Sequence, residues 1–332
     1  MSRRSHATSG PYAPPAPRRE LTVTSADGSR LHVEEHGRED GPTVVLVHGW
    51  TCSTAFWGPV IRHLADGHRV FVYDQRGHGR SPAAGPGGYS TDALADDLCA
   101  VLDTALDTAS DTTSNTAGSR AVVAGHSMGG MTVMAAAGRP QVRERVAAAL
   151  LCNTGSSRLL YESTVAPLRA GKLRYRVQKA VLGSSLPLGP VTPLGMRVLR
   201  YATMGPAATR EQMEACARIV HACPRAVRAA WARKVLAVLD LDAGLTDLDL
   251  PVGVIAGEKD RLTPPVHARR LAEALPNCTG LTELPGLGHM TPIEAPRTVA
   301  DAVAALVRDH LPRAARQNVP PAGVPAGKEM MQ

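Results

Sequence analysis

Three residue types that together activate an alcohol occur in this sequence in the order Ser, Asp, His. Ser127 lies in Gly125-His126-Ser127-Met128-Gly129, behind the apolar run Ala121-Val122-Val123-Ala124 and ahead of the helix-forming stretch MTVMAAAG. Strand, G-x-S-x-G, helix predicts a sharp turn that forces Ser127 into strained backbone angles, with Gly125 and Gly129 keeping the neighbouring space clear. At the start of the helix, free amides and the helix dipole stabilise a developing oxyanion. The pattern alone also fits an incidental serine in a Gly-rich turn; its flanks favour a nucleophile. A serine hydroxyl needs a base, and the base needs a group to orient it. Asp260 sits just past the run VGVIAG (252–257), in Glu258-Lys259-Asp260-Arg261-Leu262-Thr263-Pro264, and is the expected acid. Glu258 is its close competitor, and a helix cap is the bland role for either. His289, in the Gly-rich segment LPGLGHMTP, is the expected base rather than a solvated loop histidine. The run TVVLVH (43–48) ends in Gly49-Trp50-Thr51, where a second oxyanion donor belongs. Trp50 and Met128 are therefore expected to supply two amides, and Trp50, Met128 and Met290 to line the substrate pocket. The charged stretch Asp74-Gln75-Arg76-Gly77-His78-Gly79-Arg80-Ser81 reads as an Arg–Asp network holding a loop.

These residues need a scaffold that delivers them to one edge. The runs at 43–48, 69–74, 121–125, 147–153 and 252–257 are apolar and rich in β-branched residues or alanine, as buried parallel strands are. LTVTS and RLHVEEH around Asp27-Gly28 predict an N-terminal hairpin. Helical stretches are expected near 54–66, 91–107, 128–138, 264–275 and 294–311. Strands alternating with helices predict an α/β fold with a mostly parallel, doubly wound sheet. Residues 108–119 are small and polar and read as a loop. Residues 155–245 show helical patterns, such as 208–222 and 224–239, and no convincing strand. The expected organisation is a core of 20–154 and 246–312, a helical cap of 155–245, and disordered tails at 1–19 and 313–332.

The motifs HGW (48–50), DQRGHGRS (74–81), GHSMGG (125–130), GEKDRLTP (257–264) and GLGHM (286–290) together resemble the α/β-hydrolase superfamily. The resemblance spans nearly all of residues 21–311. It implies Ser127 as nucleophile, His289 as base, Asp260 as orienting acid and an oxyanion hole from Trp50 and Met128, with neither a metal nor an organic cofactor. Members with aspartate at the nucleophile position are epoxide hydrolases or haloalkane dehalogenases, and Ser127 counts against both. Serine-bearing members include carboxylesterases, lipases, thioesterases, carbon–carbon bond hydrolases and cofactor-free haloperoxidases. The expected reaction is hydrolysis of an ester-type bond in a small or lipid-like substrate. The alternatives are a carbon–carbon bond hydrolase or perhydrolase on the same triad, and a non-catalytic small-molecule binder on a hydrolase scaffold.

Composition bounds the partners. The chain has 332 residues, a formal charge of +7, and only five lysines (Lys172, Lys179, Lys234, Lys259, Lys328) among 37 basic residues. The excess is local. Residues 155–240 hold 14 Lys+Arg against four Asp+Glu, whereas 1–154 hold 14 against 15 and 241–332 hold 9 against 11. A cation-rich cap fits either a solvated arginine face or peripheral contact with an anionic surface or substrate. Nucleic acid is not expected, because only 3% of residues are aromatic and no recognition motif is present. The N-terminal stretch lacks the apolar run of a secretory signal. Six scattered cysteines without a C-x-x-C pair suit reduced, buried thiols and a cytoplasmic location.

Overall fold

The computed structural model describes residues 10–107, 120–189 and 192–311. Eight strands form one sheet: β1 (Arg19–Thr24), β2 (Arg30–Gly37), β3 (Thr43–Val47), β4 (Arg69–Tyr73), β5 (Ala121–His126), β6 (Val146–Cys152), β7 (Val252–Gly257) and β8 (Cys278–Leu284). Their spatial order is β1-β2-β4-β3-β5-β6-β7-β8. β1 and β2 pair antiparallel around the expected turn, where Gly28 takes a φ of 82°, and β2 pairs antiparallel with β4. Every other pairing is parallel. The α/β expectation therefore holds.

Period-2 alternation along each central strand divides the core into two layers. Val45, Val47, Ala121 and Val123 face one cluster; Val44, Leu46, Val122 and Ala124 face the other. The helix Thr91–Asp107 covers the first layer with Leu94, Leu98, Val101 and Leu102, all fully buried at helical spacing. The helix Pro296–His310 covers the second with Val299, Val303 and Leu306. Because β3, β4, β5 and β6 are buried along their whole length, their polar backbone is satisfied only by pairing, which fixes the register.

Between β6 and β7 the chain leaves the sheet. Its helices include Lys172–Leu182, Pro193–Thr203, Arg210–Ala222 and Arg225–Trp231, the last continuing as a π-helical turn over Ala232–Leu236. The stretch expected as one helix over 224–239 is thus shorter and irregular. An isolated antiparallel bridge, Ser157 with Asp240, closes the base of the excursion. Leu241 donates to the Ser156 carbonyl at 2.9 Å, and both Ser156 and Ser157 donate to the Asp242 carboxylate.

Three expectations need correction. β8 was not anticipated: Cys278-Thr279-Gly280-Leu281-Thr282-Glu283-Leu284 is an edge strand, half exposed along its length, so it carries no continuous apolar run. The expected tail 1–19 is seated from Gly10 onward. Gly10–Tyr12 form a 3-10 turn, Arg62 donates to the Ala13 carbonyl at 2.7 Å, and Arg19 opens β1. The last helical stretch is broken at Ala295, with Thr291–Glu294 forming a separate turn ahead of Pro296. The loop expected at 108–119 and the tail expected at 313–332 lie outside the described residues. Among the described residues, no helix is long and apolar enough to cross a membrane.

Burial of the sheet faces predicts where stability resides. Leu98→Ala empties a fully buried position and is expected to lower the unfolding free energy by about 2–5 kcal/mol. Leu173→Ala, at a position 67% exposed, is expected to change it by no more than about 0.5 kcal/mol. Urea unfolding of the two variants checks the contrast.

Candidate active site

Ser127 joins β5 to the helix Met128–Ala135 and holds φ 53° and ψ −117°, a conformation that L-residues rarely adopt. Packing compels it. A Cβ on Gly129 would overlap the Val47 carbonyl, and one on Gly125 would sit 2.5 Å from the Gly129 carbonyl oxygen. The Ser127 amide donates to Cys152 in β6 at 2.9 Å, and the Thr154 hydroxyl donates to the Ser127 carbonyl at 2.8 Å. The turn is therefore clamped from both neighbouring strands.

The structure brings Asp260 to His289. His289 Nδ1 lies 2.8 Å from Asp260 Oδ2, and both side chains are buried. Asp260 also accepts from Asn153 Nδ2 at 2.9 Å, from the Thr263 hydroxyl at 2.9 Å, and from the amides of Leu262 and Thr263. Burial alone would push this carboxyl up; the nearby imidazole and these donors outweigh it and hold it below its ordinary value. Glu258 is elsewhere, exposed and paired with Lys259 at 2.8 Å. The His289 loop is fixed through its backbone. The amides of His289 and Met290 both donate to the Thr203 carbonyl, and the Glu294 carboxylate accepts from Gly205, Gly288 and Met290.

The loop after β3 is held by buried polar side chains. His48 Nε2 accepts from the Gln75 amide at 3.0 Å, His78 Nε2 accepts from the Thr51 amide at 3.2 Å, and Gln75 Nε2 donates to the His48 carbonyl. Asp74 accepts from the amides of Thr54 and Arg80 at 2.8 Å. Arg76 forms ion pairs with Asp97 and Asp27, at 2.6 and 2.8 Å, so this stretch does hold loops together.

A cavity of about 590 Å³ opens over these elements. Trp50, Ser127, His289 and Met290 line it, with apolar side chains such as Leu159 and Val198. Met128 does not. As the first residue of its helix it turns back into the sheet layer, fully buried in the same cluster as Val45 and Leu98, so its expected place in the pocket is corrected.

A family model described as the alpha/beta hydrolase family matches residues 44–302. The chain belongs to the alpha/beta hydrolase family. RutD of Variovorax paradoxus (strain S110), a protein named for carbamate hydrolysis, is 32% identical over 261 residues, covering 78% of this chain and 89% of the relative. A non-heme chloroperoxidase of Streptomyces lividans is 34% identical over a shorter stretch, 33% of this chain and 36% of the relative. Among solved structures, the esterase RhEst1 from Rhodococcus sp. ECU1013 has a TM-score of 0.69 at 23% identity, covering 88% of this chain and 99% of that one. A thermophilic esterase from Thermogutta terrifontis has a TM-score of 0.68 at 25% identity, covering 88% and 98%.

In this alpha/beta hydrolase, four site residues escaped the sequence reading: Asn153, Thr154, Thr263 and Glu294. Asn153 is the most informative. It holds φ 47°, donates to Asp260 and to the Gly288 carbonyl, and accepts the Thr291 hydroxyl at 2.6 Å. Its signal was faint: an asparagine directly after an apolar strand, a type that tolerates the left-handed region.

The buried histidines make the hydrolase sensitive to acid. Burial holds His48, His78, His126 and His267 below the ordinary value, with His78 and His267 at about 4 and His126 at about 3. Each contributes stability that is complete above about 6.5 and is lost as pH falls toward its folded value. Asp74, pushed up by burial to about 6, and Asp97 and Glu294, also raised by burial, work in the opposite direction. The four imidazoles are joined, however, by Asp27, Glu34 and Asp260, which are held below their ordinary values and lose stability on acidification. The urea midpoint is expected to fall steadily from neutral pH to about pH 4.5; a flat or rising midpoint would contradict this account.

Proposed function

We propose that this chain is a serine hydrolase that cleaves an ester-type bond of a small or lipid-like substrate through an acyl-enzyme. The reading rests on the Asp260–His289 pair at 2.8 Å and on a strained Ser127 that lines the same apolar cavity as His289. His289 Nδ1 is committed to Asp260, which leaves Nε2 to take the Ser127 proton as the hydroxyl oxygen attacks the carbonyl carbon. The amides of Trp50 and Met128 donate to the resulting oxyanion. Collapse breaks the bond to the leaving group, which receives the proton from His289. Water, deprotonated by the same imidazole, then releases the acid and restores Ser127. No metal or organic cofactor enters these steps.

Perhydrolysis is the second reading, favoured by the likeness to a chloroperoxidase: hydrogen peroxide would replace water at the acyl-enzyme and release a peracid. Carbamate cleavage, suggested by RutD, would use the same attack on a carbonyl. A fluorophosphonate probe is expected to label wild-type protein stoichiometrically at Ser127 and to leave Ser127→Ala unlabelled. Folded wild-type protein that stays unlabelled would exclude all three and favour a non-catalytic binder. Turnover of acyl esters of graded chain length, with and without peroxide, then separates the first two.

The segment between β6 and β7 is proposed to meet an anionic membrane surface. Of eleven exposed large apolar side chains among the described residues, nine fall between Tyr161 and Tyr201, including Leu173, Val181, Leu186, Leu194 and Val198. Arg169, Lys172, Arg174, Arg176, Lys179, Arg197 and Arg200 are interleaved with them, and no Asp or Glu occurs from 163 to 210. Val181, Leu194 and Val198 also line the cavity, so the apolar patch is continuous with its mouth. The six free cysteines fit action in a reducing cytoplasm. The protein is expected to sediment with vesicles containing phosphatidylglycerol but not with phosphatidylcholine alone, and less so as salt rises. Equal binding to both vesicles, or none to either, would refute it.

A further inference from the structure

The cavity contains one charged side chain that the hydrolytic steps leave unused. Arg228, on the helix Arg225–Trp231, lines the cavity and is 6% exposed. Its Nη2 donates to the Ser184 carbonyl at 3.3 Å and to the Leu186 carbonyl. Its hydrogen bonds to described residues come from Nη2, and among the described residues no carboxylate pairs with the guanidinium. A guanidinium carries five N–H donors, so three of them make no hydrogen bond to a described residue here.

Burying a cation without a counter-charge is costly, and two neutral carbonyls compensate it only in part. Nothing else in the cavity supplies the missing charge, because its lining holds no Asp or Glu. The surrounding segment adds to the imbalance, with 14 basic residues against four acidic ones over 155–240. Ser163, Thr192 and Thr203 bring hydroxyls to the lining, but none carries charge. Arg228 is also tied to the catalytic side. Its carbonyl accepts Trp50 Nε1 at 3.0 Å, and Trp50 shares the cavity with Ser127 and His289. A ligand that fills the cavity therefore meets both the nucleophile and a cation without a carboxylate partner.

We infer that Arg228 binds a carboxylate of the substrate, so that the preferred substrates are esters carrying a second, ionised carboxyl group on an otherwise apolar chain. The reacting ester rests on the hydrolytic reading above; the carboxylate rests on Arg228 alone. Charge-assisted hydrogen bonds from Nε and Nη1 supply the recognition, and the apolar lining accommodates the spacer between the two groups.

The test reads binding without turnover. In the Ser127→Ala chain, titration calorimetry compares monomethyl esters of succinic, glutaric and adipic acids with methyl esters of uncharged monocarboxylic acids of matching length. At least one hemi-ester is expected to bind about tenfold or more tightly than its neutral counterpart. Adding Arg228→Met is expected to remove that preference, and Arg228→Lys to retain part of it and shift the favoured spacer. A series in which no hemi-ester is preferred overturns the proposal, as does a preference that survives Arg228→Met unchanged. If Arg228→Met does not fold, the wild-type ratio and the Arg228→Lys spacer shift decide. Hemi-ester binding by a chain that cleaves no ester would sink the hydrolytic reading and leave the carboxylate site standing. Hydrolysis of neutral esters without hemi-ester preference would do the reverse.

Discussion

One backbone conformation governs the architecture: the positive φ at Ser127. A strand can deliver a side chain above the sheet only if the chain reverses sharply into a helix, and for an L-residue that reversal is strained. The strain persists because its surroundings leave no alternative. Gly125 and Gly129 allow β3, β5 and the following helix to approach until backbone meets backbone, and Cys152 and Thr154 bind the turn from β6. Relaxing Ser127 would require separating three neighbouring segments of the sheet and the helix above it. The buried parallel centre is thus the rigid frame that stores the strain.

The same edge of the sheet sets the acid and the base. Asn153 directly follows β6 and β7 leads to Asp260, so adjacent strands place an amide donor beside the carboxylate that pairs with His289. The histidine depends on more than its acid partner. Its own amide is fixed by Thr203, a residue of the inserted helices, and its loop is gathered by Glu294. Burial of Asp260 would by itself favour the neutral acid; five hydrogen-bonding contacts keep it ionised and therefore able to stabilise an imidazolium.

Much of this was legible in the chain because chemistry and periodicity agreed. Ser127 and Asp260 stand at strand ends whose apolar runs announce buried parallel strands, and the glycines around them and around His289 mark close backbone approach. What escaped had weak local signals. β8 is half exposed, so its side chains do not declare a buried face. Met128 was placed in the pocket because it follows Ser127, yet the first helical position returns the side chain to the core. Asn153, Thr154 and Thr263 act through contacts between residues distant in sequence, and Glu294 through three amides of one loop and its neighbour, so composition and spacing carry little of either. Arg228 looked like one cation among fourteen until burial set it apart.

The bridge between Ser157 and Asp240 makes the excursion from the sheet a unit with a two-residue waist. Exchange of such a unit between relatives would have to match that waist and the contacts its helices make with the core, such as Gly205 with Glu294 and Trp50 with the Arg228 carbonyl. The Thr203 carbonyl adds to that requirement. Any graft would have to return a backbone acceptor to the amides of His289 and Met290. Change in the inserted helices is therefore coupled to the position of His289, because the segment that covers the cavity also holds that histidine's loop by its backbone.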